Sequence, residues 1–99
     1  MGYKVLISPR GRADLKVIVR FISRQNPGAA LRFGQMLIEK ALSLESLPLR
    51  GRIVPELNNP SIRELVFKSY RIIFQISEEQ QLVAILRFWH AARGTPEIG

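Results

Sequence analysis

The sequence predicts an α+β domain, in the order β-α-α-β-β-β, with a helical hairpin packed on one face of a mainly antiparallel sheet. Two observations lead to this prediction. An apolar, strand-like run at the N-terminus is followed by two segments with helical periodicity, each opened by a capping residue and a proline. The second half holds three strand-like runs separated by short polar turns, which is typical of an antiparallel meander. With 99 residues and no internal linker, we expect residues 1–99 to form a single domain.

The N-terminal half carries the first strand and the two helices. Residues 3–8 alternate like a strand. Ser8-Pro9 then opens a helix, because a serine caps well and the missing N–H of proline is tolerated at the first helical position. Asn26-Pro27 repeats this signal for a second helix, which we expect to run to about Leu47. The residues expected to face the core are Leu15, Ile18, Val19 and Ile22 in the first helix, and Ala30, Phe33, Leu37, Ala41 and Leu44 in the second, widened by Leu31, Ile38 and Leu42.

The C-terminal half carries a long loop, residues 49–60, and three strands predicted at residues 62–67, 70–76 and 82–89. Lys68-Ser69 and residues 77–81 are the expected turns. The middle strand alternates, so that Tyr70 and Ile72 should face the helices while Arg71 and Ile73 face the other way. We therefore expect Arg71 on the uncovered face of the sheet.

Charge gives the first indication of a partner. The chain holds 15 Lys and Arg against 8 Asp and Glu, a formal net charge of +7. Such a charge attracts polyanions, so a nucleic acid or an acidic protein is expected as a partner, although solubility alone would also explain it. The side of the first helix that faces away from the expected core is basic, with Arg10, Arg12, Lys16, Arg20 and Arg24.

Composition also bounds the location of the protein and its cofactors. The chain has no cysteine, which allows a reducing compartment. It has no apolar run of about 18 residues that would span a bilayer, and its N-terminus lacks a secretory signal pattern. We therefore expect a cytoplasmic protein that does not contact a membrane. No glycine-rich nucleotide-binding loop is present, and with one histidine and no cysteine we expect no metal or other cofactor.

The polar residues that remain fit metal-independent cleavage of RNA. That reaction needs a base for the ribose 2′-hydroxyl, cations for the phosphate and an acid for the leaving oxygen. Glu56 lies in the long loop, Arg63 and Arg71 lie on adjacent strands, and His90 follows the last strand. Because neighbouring strands are about 4.8 Å apart, we expect these four residues to share one face and one cleft.

Each of these residues also has a structural interpretation. Glu56 would serve as a solvated loop acid or as a partner for Arg52, and Arg63 with Glu64 would form a cross-strand charge pair. A lone histidine such as His90 is more often structural than catalytic. The aromatic residues Phe88 and Trp89 would either stack on a base or belong to the core, and we expect at least one of the two in the core.

Taken together, these segments resemble RelE/ParE toxins over nearly the whole chain. The segments that carry the resemblance are Tyr3-Lys4-Val5-Leu6-Ile7-Ser8-Pro9, Asp14-Leu15, Asn26-Pro27, Ala29-Ala30, Arg32-Phe33, Pro48 with Gly51-Arg52, Val54-Pro55-Glu56-Leu57, Ile62-Arg63-Glu64-Leu65, Tyr70-Arg71-Ile72-Ile73-Phe74 and His90-Ala91-Ala92-Arg93. The resemblance implies a toxin of a type II toxin–antitoxin system, neutralised by an antitoxin whose acidic C-terminal segment wraps the basic surface. It assigns antitoxin contacts to Arg12, Lys16, Arg20 and Arg24.

The family's members divide by target. RelE-like and YoeB-like toxins cleave mRNA in the ribosomal A site, whereas ParE-like toxins inhibit DNA gyrase without catalysis. Glu56, Arg71 and His90 match the base, the phosphate-binding arginine and the acid of the YoeB-like branch. Glu64 stands where RelE itself has a lysine, which argues against RelE-type chemistry.

Three hypotheses follow from the resemblance. The first is a ribosome-dependent mRNA endonuclease, and the alternative is a gyrase inhibitor. The third is a basic domain that only binds its antitoxin, with toxicity lost. For the endonuclease, the residues expected to contact the substrate are Arg63, Arg52, Trp89 and Arg93.

Overall fold

A computed structural model of the chain describes residues 2–98. The predicted α+β order is confirmed, with one additional short strand after the helices. The elements are β1 Lys4–Ile7, α1 Pro9–Ser23, α2 Pro27–Leu42, β2 Arg52–Ile53, β3 Ile62–Phe67, β4 Tyr70–Ser77 and β5 Leu82–His90. Short 3-10 turns at Ser43–Glu45 and Pro48–Arg50 lead from α2 to β2, and a third at Ala91–Arg93 follows β5.

The strands form one sheet in the order β1-β5-β4-β3-β2. β3, β4 and β5 are antiparallel neighbours, as the meander prediction requires. β1 runs parallel to β5, with Lys4 opposite Leu82 and Ile7 opposite Ile85. β5 therefore has a partner on each side, which agrees with its apolar residues on both faces. Between Ile73 and Phe74 the register of β4 against β5 shifts by one residue.

Both helices begin at the predicted caps. The Ser8 hydroxyl accepts a hydrogen bond from the Gly11 N–H at 3.0 Å, and the side-chain Oδ1 of Asn26 accepts one from the Ala29 N–H at 3.0 Å. The helices cover one face of the sheet and enclose the larger core. Its buried members are Ile18, Leu37, Ala41, Leu44, Ile72, Phe74, Ile76, Val83, Ile85 and Phe88.

The second helix differs from the prediction in two respects. It ends at Leu42 rather than near Leu47, because the chain tightens into the 3-10 turn at Ser43–Glu45 before Pro48. Leu31, Ile38 and Leu42, which were expected to widen the buried stripe, are exposed. The narrower stripe of this helix is sufficient to cover the sheet, so those three side chains lie outside the core.

The face of the sheet opposite the helices is also covered, so the expectation that this face is uncovered is wrong. Val54, Ile62, Ile73 and Trp89 are buried there in a second core. Leu57 from the long loop and Ile98 from the C-terminal segment pack against it. Antiparallel sheets often leave one face open to solvent. In this protein the long loop and the C-terminal segment cover that face.

One acidic residue fixes α1 to the sheet. β1 ends at Ile7, so the edge of β5 beyond Ile85 has no strand beside it. The Asp14 carboxylate occupies this position and accepts hydrogen bonds from the Phe88 N–H at 3.0 Å and from Arg87 Nε at 2.8 Å. Asp14 thus accepts a hydrogen bond from a backbone N–H at the sheet edge and balances the charge of the buried Arg87. Within residues 2–98, no helix has the length and apolar character needed to cross a membrane.

Candidate functional site

Four charged side chains form a continuous chain of ion pairs on the sheet face opposite the helices. We call Arg52, Glu56, Glu64 and Arg71 the charge network. The guanidinium of Arg71 donates two parallel hydrogen bonds to Glu56, from Nη1 at 3.0 Å and from Nη2 at 2.7 Å. Its Nε donates to Glu64 Oε1 at 2.5 Å, while Nε of Arg52 donates to Glu64 Oε2 at 2.6 Å. Two positive and two negative charges therefore compensate one another.

Strand register explains how the network assembles. Arg52 of β2 lies directly opposite Glu64 of β3. Glu64 lies opposite Ile73 of β4, which makes Arg71 its diagonal neighbour on the same face. The long loop between β2 and β3 then brings Glu56 over Arg71. All four residues are fixed by a short stretch of sheet together with the loop that covers it.

Burial differs strongly along the network. The side chain of Glu64 is fully buried and that of Arg71 is 9% exposed, whereas 32% of the Glu56 side chain is exposed. The hydrogen bonds from Arg71 lower the pKa of Glu56 from 4.5 to about 2, an effect larger than the opposing effect of desolvation. The same pairing raises the pKa of Arg71. Both groups are therefore charged at neutral pH, and each one's charge is already matched by the other.

Arg71 lies on the predicted face but in different surroundings. It is not beneath the helical hairpin, as the alternation in β4 indicated. The face was expected to be uncovered, however, and Arg71 is in fact buried under the loop that carries Glu56. Arg71 therefore presents no exposed positive charge on this face, because the carboxylates of Glu56 and Glu64 pair with its guanidinium.

His90 lies on the other face of the sheet, so the expectation that it would share a cleft with Glu56 and Arg71 is wrong. Tyr70 of β4 is its direct partner in the register, and Arg71 is paired instead with Trp89. The ring of His90 makes an edge-to-face contact with Tyr70, with centroids 5.0 Å apart. Its Nδ1 accepts a hydrogen bond from the Ala92 N–H at 3.1 Å. Paired residues of antiparallel strands project to the same face, so the sheet separates His90 from Arg71.

Arg63 also departs from the expected cleft. It is paired with Phe74, a residue of the helix-side core, and therefore projects away from Arg71. Its side chain donates to the backbone oxygens of Gly51 at 3.1 Å and Pro60 at 3.2 Å. Arg63 thus joins the two ends of the long loop.

Trp89 and Arg93, which were both expected to contact the substrate, contact each other, and the ring of Trp89 is not open to a ligand. The guanidinium of Arg93 lies 3.9 Å from the ring centroid of Trp89, and that of Arg87 lies 5.0 Å from it. Trp89 is 2% exposed, and its Nε1 donates to the Gly94 oxygen at 3.1 Å. The C-terminal segment and these two arginines occupy the positions that a stacked base would take.

Basic residues of α1, together with Arg24 at its C-cap, form an exposed row. Arg12, Lys16, Arg20 and Arg24 follow one another at intervals of four residues, and all of them are exposed. Asp14, the acidic residue of this helix, is turned inward to Arg87. The solvent side of α1 therefore carries positive charge that no carboxylate of the same helix offsets.

Sequence reasoning missed two residues that organise this region, Glu64 and Arg87. Both are buried, and each is held by an ion pair. A signal for Glu64 was present, because it shares a strand face with Ile62, and a charged residue on an apolar face is rarely buried without a partner. Arg87 had a similar signal in the apolar run of β5. Neither signal identifies the partner.

The fold and this charge distribution describe a small basic α+β protein, and comparison with known proteins identifies its family. Residues 5–94 match the family described as the ParE toxin of the type II toxin–antitoxin system parDE. The chain is similar to Toxin RelE1 of Caulobacter vibrioides, with 30% identity over 94 residues that cover 91% of this chain and 95% of that protein.

Two solved structures share the fold. The chromosomal ParDE toxin–antitoxin system of P. aeruginosa matches with a TM-score of 0.73 at 21% identity, over 89% of this chain and 95% of that one. The RelBE2 toxin–antitoxin complex of Mycobacterium tuberculosis matches with a TM-score of 0.66 at 25% identity, over 91% and 99%. The chain belongs to the ParE toxin family of type II toxin–antitoxin systems, within the RelE/ParE superfamily.

Proposed function

We propose that this toxin stops growth by binding its target without cutting RNA, and that the target is DNA gyrase. The observation that carries the proposal is the pairing of Glu56 with Arg71, together with the position of His90 on the opposite face of the sheet. The base, the phosphate clamp and the acid required for RNA cleavage do not converge on one cleft. This favours the ParE-like alternative over the endonuclease that the residue types alone suggested.

The chemistry of Glu56 also favours a gyrase inhibitor over an endonuclease. A general base works best when its pKa lies near the operating pH. The pKa of Glu56 is about 2, so its carboxylate is a weak base at neutral pH. The same carboxylate also occupies both terminal nitrogens of Arg71, which would otherwise be the groups that hold a phosphate.

We further propose a cytoplasmic partner, an antitoxin with an acidic segment, as the family membership implies. The row of Arg12, Lys16, Arg20 and Arg24 is the surface that this partner contacts. Their exposure and the inward orientation of Asp14 support the assignment. Opposite charges steer the two proteins together and strengthen the selection of the correct partner.

The test uses two purified assays with the same protein. The toxin should inhibit supercoiling by gyrase and leave mRNA intact in a reconstituted translation reaction. Glu56→Gln and His90→Ala should retain this inhibition, and Glu79→Gln in the exposed β4–β5 turn is the matched control. Cleavage of mRNA by the wild-type toxin, lost in Glu56→Gln and His90→Ala, would establish the endonuclease. An effect in neither assay would support the third hypothesis, a domain without toxicity.

A further inference from the structure

The ion pairs of the fold leave the net positive charge of the protein on its surface. Three carboxylates pair with three arginines and balance their charge. These six residues are Asp14, Glu56, Glu64, Arg52, Arg71 and Arg87. The formal net charge of +7 therefore resides on the remaining side chains, where it can attract a partner.

The row of Arg12, Lys16, Arg20 and Arg24 carries part of this charge in a regular arrangement. Successive members are four residues apart, which in an α-helix is a rise of about 6 Å, so the row extends over about 18 Å. B-form DNA carries one negative charge for about every 1.7 Å of its axis, so roughly ten phosphates lie along the same length. The row thus matches a polyanion with closely and evenly spaced charges.

A shallow depression beside the row provides space for such a ligand. It has a volume of about 460 Å³, and it is lined by Leu15, Lys16, Val19, Arg20 and Ser23. Two members of the row therefore border the depression, and none of these five lining residues is acidic. A phosphate group that enters it meets an ammonium and a guanidinium without repulsion from a carboxylate of its lining.

The exposed acidic residues of the sheet lie at the other end of the molecule. Glu78 and Glu79 are exposed in the β4–β5 turn, just before Leu82, where β5 begins. The C-terminal half of α1 adjoins the opposite end of β5, because Phe21 and His90 line the same cavity. β5 has nine residues and is about 26 Å long, so the acidic turn and the end of the row are well separated. This separation of charge orients a polyanion toward α1.

We propose that the basic row on α1 binds the phosphate backbone of duplex DNA. Each of its four cationic groups contacts one phosphate and releases a counterion from the DNA. The proposal rests on the proposed gyrase target, since gyrase holds the duplex on which it acts, and it adds a direct contact between the toxin and that duplex. The antitoxin is proposed to contact the same row, so antitoxin and DNA exclude one another.

β1 provides a matched control for the row. Lys4 is exposed and lies opposite Leu82, near the acidic turn and away from the row. Lys16→Gln and Lys4→Gln are the same substitution at two exposed positions, so both variants should fold, and each removes one positive charge. If net charge alone attracted DNA, the two variants would weaken binding equally. If the row binds DNA, Lys16→Gln should weaken it more.

The experiment measures binding of the purified toxin to a fluorophore-labelled DNA duplex of about 20 base pairs, at salt concentrations from roughly 50 to 200 mM. With four phosphate contacts, the logarithm of the affinity should fall against the logarithm of the salt concentration with a slope of about −3.6. Lys16→Gln should reduce the size of this slope by about 0.9 and weaken binding about 8-fold at about 100 mM salt. Lys4→Gln should leave the slope unchanged.

Equal slopes for Lys16→Gln and Lys4→Gln would overturn the proposal. It would also be overturned if a single-stranded RNA of the same length bound about tenfold more tightly than the duplex. The gyrase assay gives an independent result. If the toxin inhibits gyrase but does not bind the duplex, the DNA contact is wrong and the proposed function stands. If the row-dependent slope is found while gyrase is unaffected, the DNA contact stands without the gyrase mechanism.

Discussion

Glu64→Gln should destabilise the protein far more than Glu56→Gln, although each change removes one carboxylate from Arg71. Glu64 is fully buried and accepts hydrogen bonds from Arg71 at 2.5 Å and Arg52 at 2.6 Å. An amide at this position would offer one acceptor oxygen, and its NH2 group would face a guanidinium that has only N–H donors. Removing one partner of a buried ion pair destabilises a protein by about 3–5 kcal/mol.

We expect a loss of about 3 kcal/mol for Glu64→Gln, at the lower end of that range because Arg71 retains Glu56. For a domain of this size, each kcal/mol corresponds to roughly 4–8 °C, so Tm should fall by about 12–24 °C. Glu56 is one-third exposed and its pair is partly screened by solvent, so Glu56→Gln should lose no more than about 1 kcal/mol.

The assay is urea unfolding followed by fluorescence of Trp89, the single tryptophan, which is buried beside the network. A difference of less than about 1 kcal/mol between the two variants, below the separation expected for buried and exposed pairs, would refute the reasoning. It would mean that burial of Glu64 does not determine the strength of the network.

Two further predictions concern the pH dependence of stability and the packing around Gly51. The pKa of Glu56 is lowered in the folded state, from 4.5 to about 2, so its pairing with Arg71 should stabilise the protein fully above about pH 4.5. This contribution should be lost as the pH falls toward 2, and Glu56→Gln should lack this part of the pH dependence in urea unfolding. Gly51→Ala should destabilise the protein by roughly 1–3 kcal/mol, because a Cβ there would lie 2.5 Å from Phe74 Cζ and 2.8 Å from the backbone carbonyl oxygen of Glu64. Gly28→Ala is the matched control, since its Cβ would meet the flexible end of Arg32 at 3.3 Å, and thermal unfolding should show little change or a gain.

Local patterns were sufficient to predict most of the elements. The caps at Ser8 and Asn26 place both helix starts, and the predicted bounds of β3 match the observed ones. These features depend on short-range hydrogen bonds and on side-chain alternation, which a sequence displays directly. The end of α2 was less predictable, because its apolar period continues past Leu42 although the chain leaves the helix.

Contacts between distant segments were not predictable in the same way. No local signal shows that β1 pairs with β5 or that the loop and the C-terminal segment build a second core. The position of His90 is the clearest example. β5 is apolar on both faces, so alternation does not show which way His90 points, and only the pairing with Tyr70 does. The residue types therefore suggested a catalytic set, but the strand register places His90 and Arg71 on opposite faces of the sheet.

The pairing of β1 with β5 also bears on how the protein is made. Val5 of β1 is paired with Val83 of β5, which is 78 residues later in the chain. The Ser8 hydroxyl likewise donates to the backbone oxygen of Leu86, also 78 residues later. During synthesis, α1 and α2 emerge while the strands they must cover are still untranslated. The sheet closes only after β5 has left the ribosome, so the nascent domain remains incomplete until this last strand has been made.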